Sequence, residues 1–171
     1  YTDFAWSDYS VAEKGNTYEV SVTVKNTGDV AGKDVVEVYY NPPYTNGGIE
    51  KSSATLNEFE KTNLLQPGES QTVTVTFSIE DMASYDENNA KAYVLEKGDY
   101  VISINSDSHT VLDQKTYTAD KDVVYKGENK RASDDTAATN VFEDAKGDVT
   151  YLSRADHFAN YEEATAAPAS A

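Results

Sequence analysis

Four runs in this chain alternate apolar and polar residues with a period of two, and each is bounded by turn-forming residues. Successive side chains of a strand point to opposite faces, so such a run builds a strand with one buried and one wet face and gives a helix no coherent apolar stripe. In 17–26, Val20, Val22 and Val24 alternate with Glu19, Ser21, Thr23 and Lys25, and Asn26-Thr27-Gly28-Asp29 supplies a turn. In 33–41, Val36, Val38 and Tyr40 share one face and Val35, Glu37 and Tyr39 the other, before Pro42-Pro43 ends the ladder by withholding two N–H donors. After Pro67-Gly68, Val73, Val75 and Phe77 oppose Thr72, Thr74 and Thr76. After the turn Glu96-Lys97-Gly98, Tyr100, Ile102 and Ile104 alternate with Val101, Ser103 and Asn105.

Weaker strand patterns at 4–11, 54–59 and 92–95 bring the count to about seven short strands separated by turns, the pattern of an antiparallel β-sandwich of the immunoglobulin or fibronectin III type. There is no Cys, which argues against an antibody-like domain and excludes a disulfide framework or a thiolate zinc site. One helical segment is expected, Ile79 to Asp86, with Ser78 as its cap and Met82 and Tyr85 on its buried side. Tyr40, Tyr85, Tyr100, Phe77 and Phe59 are expected to face the core.

The sandwich is expected to occupy residues 1–108, followed by an extended, largely irregular C-terminal arm over 109–171. Residues 111–125 keep some strand character, but 126–139 is polar and without a period, and a segment of that kind cannot bury enough apolar surface to fold alone. Apolar groups return at Val141-Phe142 and at Val149-Thr150-Tyr151-Leu152, so the arm reads as a connector that packs on something else. The start at Tyr1 and the run Ala164 to Ala171 read as the cut ends of an internal piece of a longer polypeptide.

Thirty acidic residues against 14 Lys and Arg give a formal charge of −16, which repels phosphate backbones and anionic membrane surfaces and makes nucleic acid and membrane unfavourable partners. No apolar run approaches the roughly 20 residues needed to cross a bilayer. Without Cys, a cytoplasmic location is slightly favoured and a secreted one stays open.

The residues Val20 to Gly28, then Ala31-Gly32-Lys33-Asp34-Val35-Val36-Glu37-Val38-Tyr39-Tyr40, resemble the fibronectin III-like domain of family 3 glycoside hydrolases of β-glucosidase type. Further matches follow in order at Leu56-Asn57-Glu58-Phe59-Glu60-Lys61, Leu65-Gln66-Pro67-Gly68-Glu69-Ser70, Met82-Ala83-Ser84-Tyr85-Asp86 and Glu96-Lys97-Gly98-Asp99-Tyr100. The segment Gly147 to Asp156 is similar to the connector of members with reversed domain order, in which the sandwich lies between an α/β sandwich domain and a (β/α)8 barrel. The resemblance implies a bacterial retaining exo-glycosidase as parent, whose nucleophilic and acid carboxylates stand about 5–5.5 Å apart and belong to those two domains. It therefore implies no catalytic, cofactor-binding or metal-ligating residue in this chain, with the catalytic domains as partners and self-association into a homo-oligomer left open. A free-standing carbohydrate-binding or adhesive module of a bacterial surface is the rival reading.

Other candidates have ordinary explanations. Asp156, in Ser153-Arg154-Ala155-Asp156, superficially resembles the family nucleophile motif but falls outside the barrel that holds it. His109 and His157 have no metal-ligand spacing, and Ser108, His109 and Asp107 form a triad only on paper. Carboxylates at Asp81, Asp86 and Glu87, or at Asp134, Asp135, Glu143 and Asp144, lack EF-hand spacing. Aromatic rings stack on sugars, and Tyr44, in the loop Asn41 to Gly48, is the ring expected to be most exposed. Pro43, Tyr44 and Asn46 are accordingly the candidate substrate-proximal or interface loop.

Overall fold

The computed structural model describes residues 1–167; the last four residues of the expected linker, 168–171, lie outside them. Among the described residues ten strands form three antiparallel sheets. β1 (Phe4–Lys14), β2 (Thr17–Asn26) and β5 (Ser70–Ser78) make one sheet in the order β1-β2-β5. β3 (Val35–Asn41), β4 (Thr55–Lys61), β8 (Gly98–Asn105) and β9 (Val111–Ala119) make the facing sheet in the order β4-β3-β8-β9. A small third sheet of β6 (Ser84–Asp86), β7 (Ala92–Leu95) and β10 (Val123–Tyr125), in the order β10-β7-β6, closes one end.

The alternating residues do what their period dictates. Tyr18, Val20, Val22 and Val24 of β2 and Val73, Val75 and Phe77 of β5 meet Val36, Val38 and Tyr40 of β3 and Tyr100, Ile102 and Ile104 of β8 in one buried core. Tyr18 ties the layers together, stacked on Phe77 at 5.8 Å between ring centroids and edge-on to Tyr117 of β9 at 5.9 Å.

Four expectations change. First, the strands do not stop at residue 108: β9 pairs with β8 from Gly98↔Ala119 to Asn105↔Val111, and β10 pairs with β7. The seventh strand of the two-layer sandwich is therefore β9, and the expected seventh, β7, belongs to the small sheet. β9 hides from a search for alternation because it is an edge strand whose residues stay mostly exposed. Second, the helix at 79–86 is one 3₁₀ turn, Ile79–Met82, after which the chain straightens into β6. Ile79 and Met82 are buried, Ser78 and Asp81 form a capping box, and pairing with β7 takes Tyr85 into the sheet, where its ring meets Tyr93 edge-on.

Third, Phe59 is 57% exposed. Cross-strand partners share a face, and Phe59 pairs with Glu37, on the opposite side of β3 from Val36 and Val38. Fourth, the arm is stapled back onto its own sandwich. The Arg131 guanidinium lies 3.6 Å from the centre of the Tyr93 ring and forks onto Asp134, the Ala132 amide donates to Glu80 (2.7 Å), the Asn140 amide to the Tyr85 hydroxyl (2.9 Å), and Lys146 pairs with Glu87 (2.8 Å). Between these staples the arm has no sheet of its own, only short helical turns.

Two polar devices fix the strand ends. Asn26, fully buried at the end of β2, uses its whole side chain: it donates to the carbonyls of Val30 (2.8 Å) and Leu65 (2.9 Å) and accepts from the Thr2 hydroxyl (2.7 Å) and the Gly28 amide (3.1 Å). Gly28 allows the N-terminal segment to approach, because a Cβ there would meet the Thr2 hydroxyl at 2.2 Å and the Asp3 amide at 2.7 Å. At the other end, the buried Tyr100 hydroxyl reaches back to the Glu96 carbonyl (3.1 Å), the tyrosine corner of such sandwiches.

Asn26→Ala removes four hydrogen bonds from a fully buried side chain, leaving the Val30 carbonyl without this donor and the Leu65 carbonyl with only the Gly32 amide, so it should cost about 2–3 kcal/mol, read as a lower midpoint in urea unfolding. Acid should also weaken the fold. Burial pushes the Asp86 carboxyl up, but the backbone amides of Ala90, Asn89 and Asn88 outweigh it and hold it below the ordinary value. A carboxyl depressed in the folded state contributes stability that is complete above its unfolded value, about 4, and is lost as pH falls through the folded one. Unfolding free energy measured from pH 6 down to 2 should therefore fall below about pH 4, and less steeply in Asp86→Asn.

Candidate functional site

The loop between β3 and β4 is built on the tyrosine corner. Pro42-Pro43 stops β3, and Pro43 packs on Gly98, which has a φ of +137° and where a Cβ would stand 2.9 Å from the Pro43 Cβ. The loop then turns at Thr45–Gly48, closed by the Gly48 amide on the Thr45 carbonyl (2.8 Å), and its far end returns to β3 through the Asn41 side-chain amide on the Ser53 carbonyl (2.6 Å). Between them Lys51, almost wholly buried, is ion-paired with Glu96, whose carbonyl is the one that the Tyr100 hydroxyl grips. Loop and sandwich thus share the residue that forms the corner.

On this loop sits the end of the arm. The Glu50 carboxylate accepts from the Ser153 hydroxyl (2.6 Å) and the Arg154 amide (3.0 Å). The Arg154 guanidinium donates to the Lys51 carbonyl (3.0 Å) and lies 4.1 Å from the centre of the Tyr44 ring. Asn46 and Asp156 bond reciprocally: the Asn46 amide donates to the Asp156 carboxylate (2.7 Å) and the Asp156 backbone amide to the Asn46 carbonyl oxygen (2.8 Å). Immediately after, Asp156, His157 and Phe158 take left-handed backbone angles, φ 50°, 57° and 62°, which turn the chain back over the loop and enclose a cavity of about 520 Å³ lined by Tyr44, Asn46, Ser53, Arg154, Asp156, His157 and Phe158.

Tyr44 and Asn46 line this cavity while Pro43 packs on Gly98, and Tyr44 is not an open stacking platform. Its ring is covered by Arg154, and its hydroxyl is buried without a hydrogen-bond partner. The sequence placed Ser153 to Asp156 and the Tyr44 loop far apart and gave no sign that they meet. Glu50 and Lys51 give no sequence signal, since a charged residue in a turn-rich segment ordinarily signals solvent, and Arg154 enters the sequence reading only as part of the connector.

Most of the remaining candidates have structural duties. The Asp107 carboxylate accepts from the amides of His109 and Thr110 (2.8 Å each) and the Thr110 hydroxyl (2.9 Å), and these bonds hold it below the ordinary carboxylate range. It closes a turn rather than orienting the imidazole, although the Ser108 hydroxyl does lie 2.7 Å from His109 Nδ1. Asp81 caps the 3₁₀ turn, Asp86 binds three amides, Glu87 pairs with Lys146, Glu143 with Lys91, and Asp134 with Arg131, whose guanidinium holds that carboxyl low. Among the described residues no three His, Cys, Asp or Glu side chains come together as a metal site, and no helix is long and apolar enough to cross a membrane.

The two-sheet order β1-β2-β5 against β4-β3-β8-β9, with its tyrosine corner, defines a fibronectin type III-like sandwich, and residues 34–108 match the model of the fibronectin type III-like domain. The chain is 36% identical over 143 residues to β-glucosidase A of Butyrivibrio fibrisolvens, a match covering 72% of this chain and 17% of that protein, and 35% identical over 130 residues to β-glucosidase of Kluyveromyces marxianus, covering 74% and 15%. It superposes on β-glucosidase 3B of Thermotoga neapolitana, solved with α-D-glucose, with a TM-score of 0.65 and 35% identity over 74% of this chain and 17% of that one. The chain belongs with the fibronectin III-like region of the family 3 β-glucosidases, and spans about a sixth of the length of these relatives.

Arg154→Ala removes both the cover of Tyr44 and the bond to Lys51, so hydrogen exchange should speed up by about an order of magnitude at 150–160 while the amides of β8 keep their protection.

Proposed function

We propose that this chain is a non-catalytic structural segment of a β-glucosidase-type glycoside hydrolase, in which the sandwich braces the catalytic domains and residues beyond the last strand form the connector towards a (β/α)8 barrel. The observation that carries this reading is the extent of the match: roughly three quarters of the chain aligns with only about a sixth of β-glucosidases at 35–36% identity. The surface agrees with a brace. Val141, Phe142, Val149, Tyr151 and Tyr161 of the arm are all more than half exposed, although neighbouring polar residues hold the arm on the sandwich. Apolar side chains on a pinned segment offer a fixed surface for a neighbouring domain.

In this reading the parent hydrolyses terminal glycosidic bonds with retention, and the two carboxylates that do so, about 5–5.5 Å apart, come from the domains that the brace holds. The contribution of this chain is positional: a rigid two-layer body keeps its neighbours in register, and precision of that kind governs how closely catalytic groups approach their productive geometry. In this reading the domain order is that of the reversed-order members, in which the barrel follows the sandwich, and that gives the connector its direction.

The purified chain should show no turnover of an aryl β-glucoside above the uncatalysed rate, and measurable turnover would refute the proposal. Phe142→Ser combined with Tyr151→Ser should leave the melting temperature of the chain within about 2 °C. The same pair in the whole polypeptide should lower the temperature at which glucosidase activity is lost, and an unchanged inactivation temperature would make the arm an inert appendage.

A further inference from the structure

The open edge between β1 and β9 carries a feature that bracing does not use. β1 begins with Phe4 and Trp6 turned inward, and a regular strand would put Asp8 next on that face. Instead the register with β2 slips between Ser7 and Ser10, and Asp8 takes a left-handed φ of 55°. The extra residue sends Asp8 outward and sets Tyr9 beside Trp6, its hydroxyl donating to the Trp6 carbonyl (3.2 Å). A bulge of this kind re-aims a side chain at a cost in backbone strain, and here it doubles the aromatic surface at one spot. Trp6 is held from the other side by Asp34, whose carboxylate accepts the indole N–H at 2.8 Å and the Val35 amide at 2.9 Å.

The two sheets part at this spot. Near Val11 the gap is bridged by Lys115, whose ammonium donates to the Val11 carbonyl (3.2 Å). Towards Leu112 it opens into a cavity of about 380 Å³, lined by Thr2, Asp3, Phe4, Trp6, Tyr9, Asp34, Ser106 and Leu112, within the size range of small-ligand pockets. Among the described residues no Lys or Arg covers either ring, in contrast to Tyr44 and Tyr93, which Arg154 and Arg131 occupy.

We propose that this cleft is a saccharide-binding site, with Trp6 and Tyr9 as its floor and Asp3, Asp34 and Ser106 as hydroxyl-binding groups on its rim. The chemistry fits a neutral sugar. Fixed aromatic faces meet the C–H faces of a pyranose, carboxylates accept from vicinal hydroxyls, and the acidic rim of a chain carrying −16 overall rejects anionic ligands. The cleft is lined by the N-terminal segment, β1, Asp34, Ser106 and Leu112 of β9, and by none of the apolar residues of the arm beyond the last strand.

Trp6 is the only tryptophan in the chain, so indole emission reports on this cleft alone. Titration of the folded 171-residue chain with cellotetraose should shift that emission saturably, with a dissociation constant in the millimolar range. Tyr9→Ala should weaken binding about tenfold; in case the loss of Tyr9 disturbs the strand, Leu112→Arg, a change at the exposed rim, should narrow the mouth and weaken binding with the melting temperature unchanged. Emission that does not respond up to the solubility limit of the sugar would overturn the proposal. So would a response to choline without one to cellotetraose, which would make the cleft an ammonium site, or sugar binding that both variants leave intact.

Discussion

Everything in this molecule depends on burying the inner faces of two sheets against each other. Val20, Val22 and Val24 with Val73, Val75 and Phe77 form one apolar layer, and Val36, Val38 and Tyr40 with Tyr100, Ile102 and Ile104 form the other. Each layer would be an exposed apolar patch alone, so neither sheet is stable without its partner. β2, β3 and β8 are inner strands of their sheets, which is why they are the most completely buried, and in β2 and β3 the buried residues alternate strictly.

The core leaves the strand ends to be fixed by polar groups, and the two ends solve this differently. At one, Asn26 gathers the N-terminal segment, the β2–β3 turn and the β4–β5 connection on a single satisfied amide. At the other, Glu96 serves twice, its carbonyl receiving the Tyr100 hydroxyl and its carboxylate pairing with the buried Lys51. An ion pair taken out of water is a poor source of stability, but it fixes geometry. It places the loop of Tyr44 and Asn46 on the sandwich, and that loop in turn seats the arm. Core, corner, loop and arm form a hierarchy in which each level presupposes the one before.

This hierarchy suits a brace. In the bracing role proposed above, the parts offered to other domains are the last to be fixed and the least buried, while the body is closed by dense apolar packing. The left-handed turn at Asp156 to Phe158 is a strained stretch of the arm, and it lies where the chain leaves its seat on the loop. The bulge at Asp8 is a second strained point, on the opposite flank, where aromatic rings face an open cleft.

The sequence by itself determined the layers. A strict period of two admits one face inward, and so the core residues of β2, β3, β5 and β8 were legible, as were the turns at Asn26 and at Glu96-Lys97-Gly98 and the relationship to β-glucosidases that their order carries. Tertiary structure alone decided three things. β9 became the seventh strand because its partner β8 offers a free edge, something that its own mostly exposed residues do not signal. Phe59 went outward because its register is set by Glu37 and not by its hydrophobicity. The candidate site formed because Tyr44 and Asn46 meet Arg154 and Asp156 from about 110 positions away, and a contact at that separation depends on the path of the whole chain, which no local pattern records.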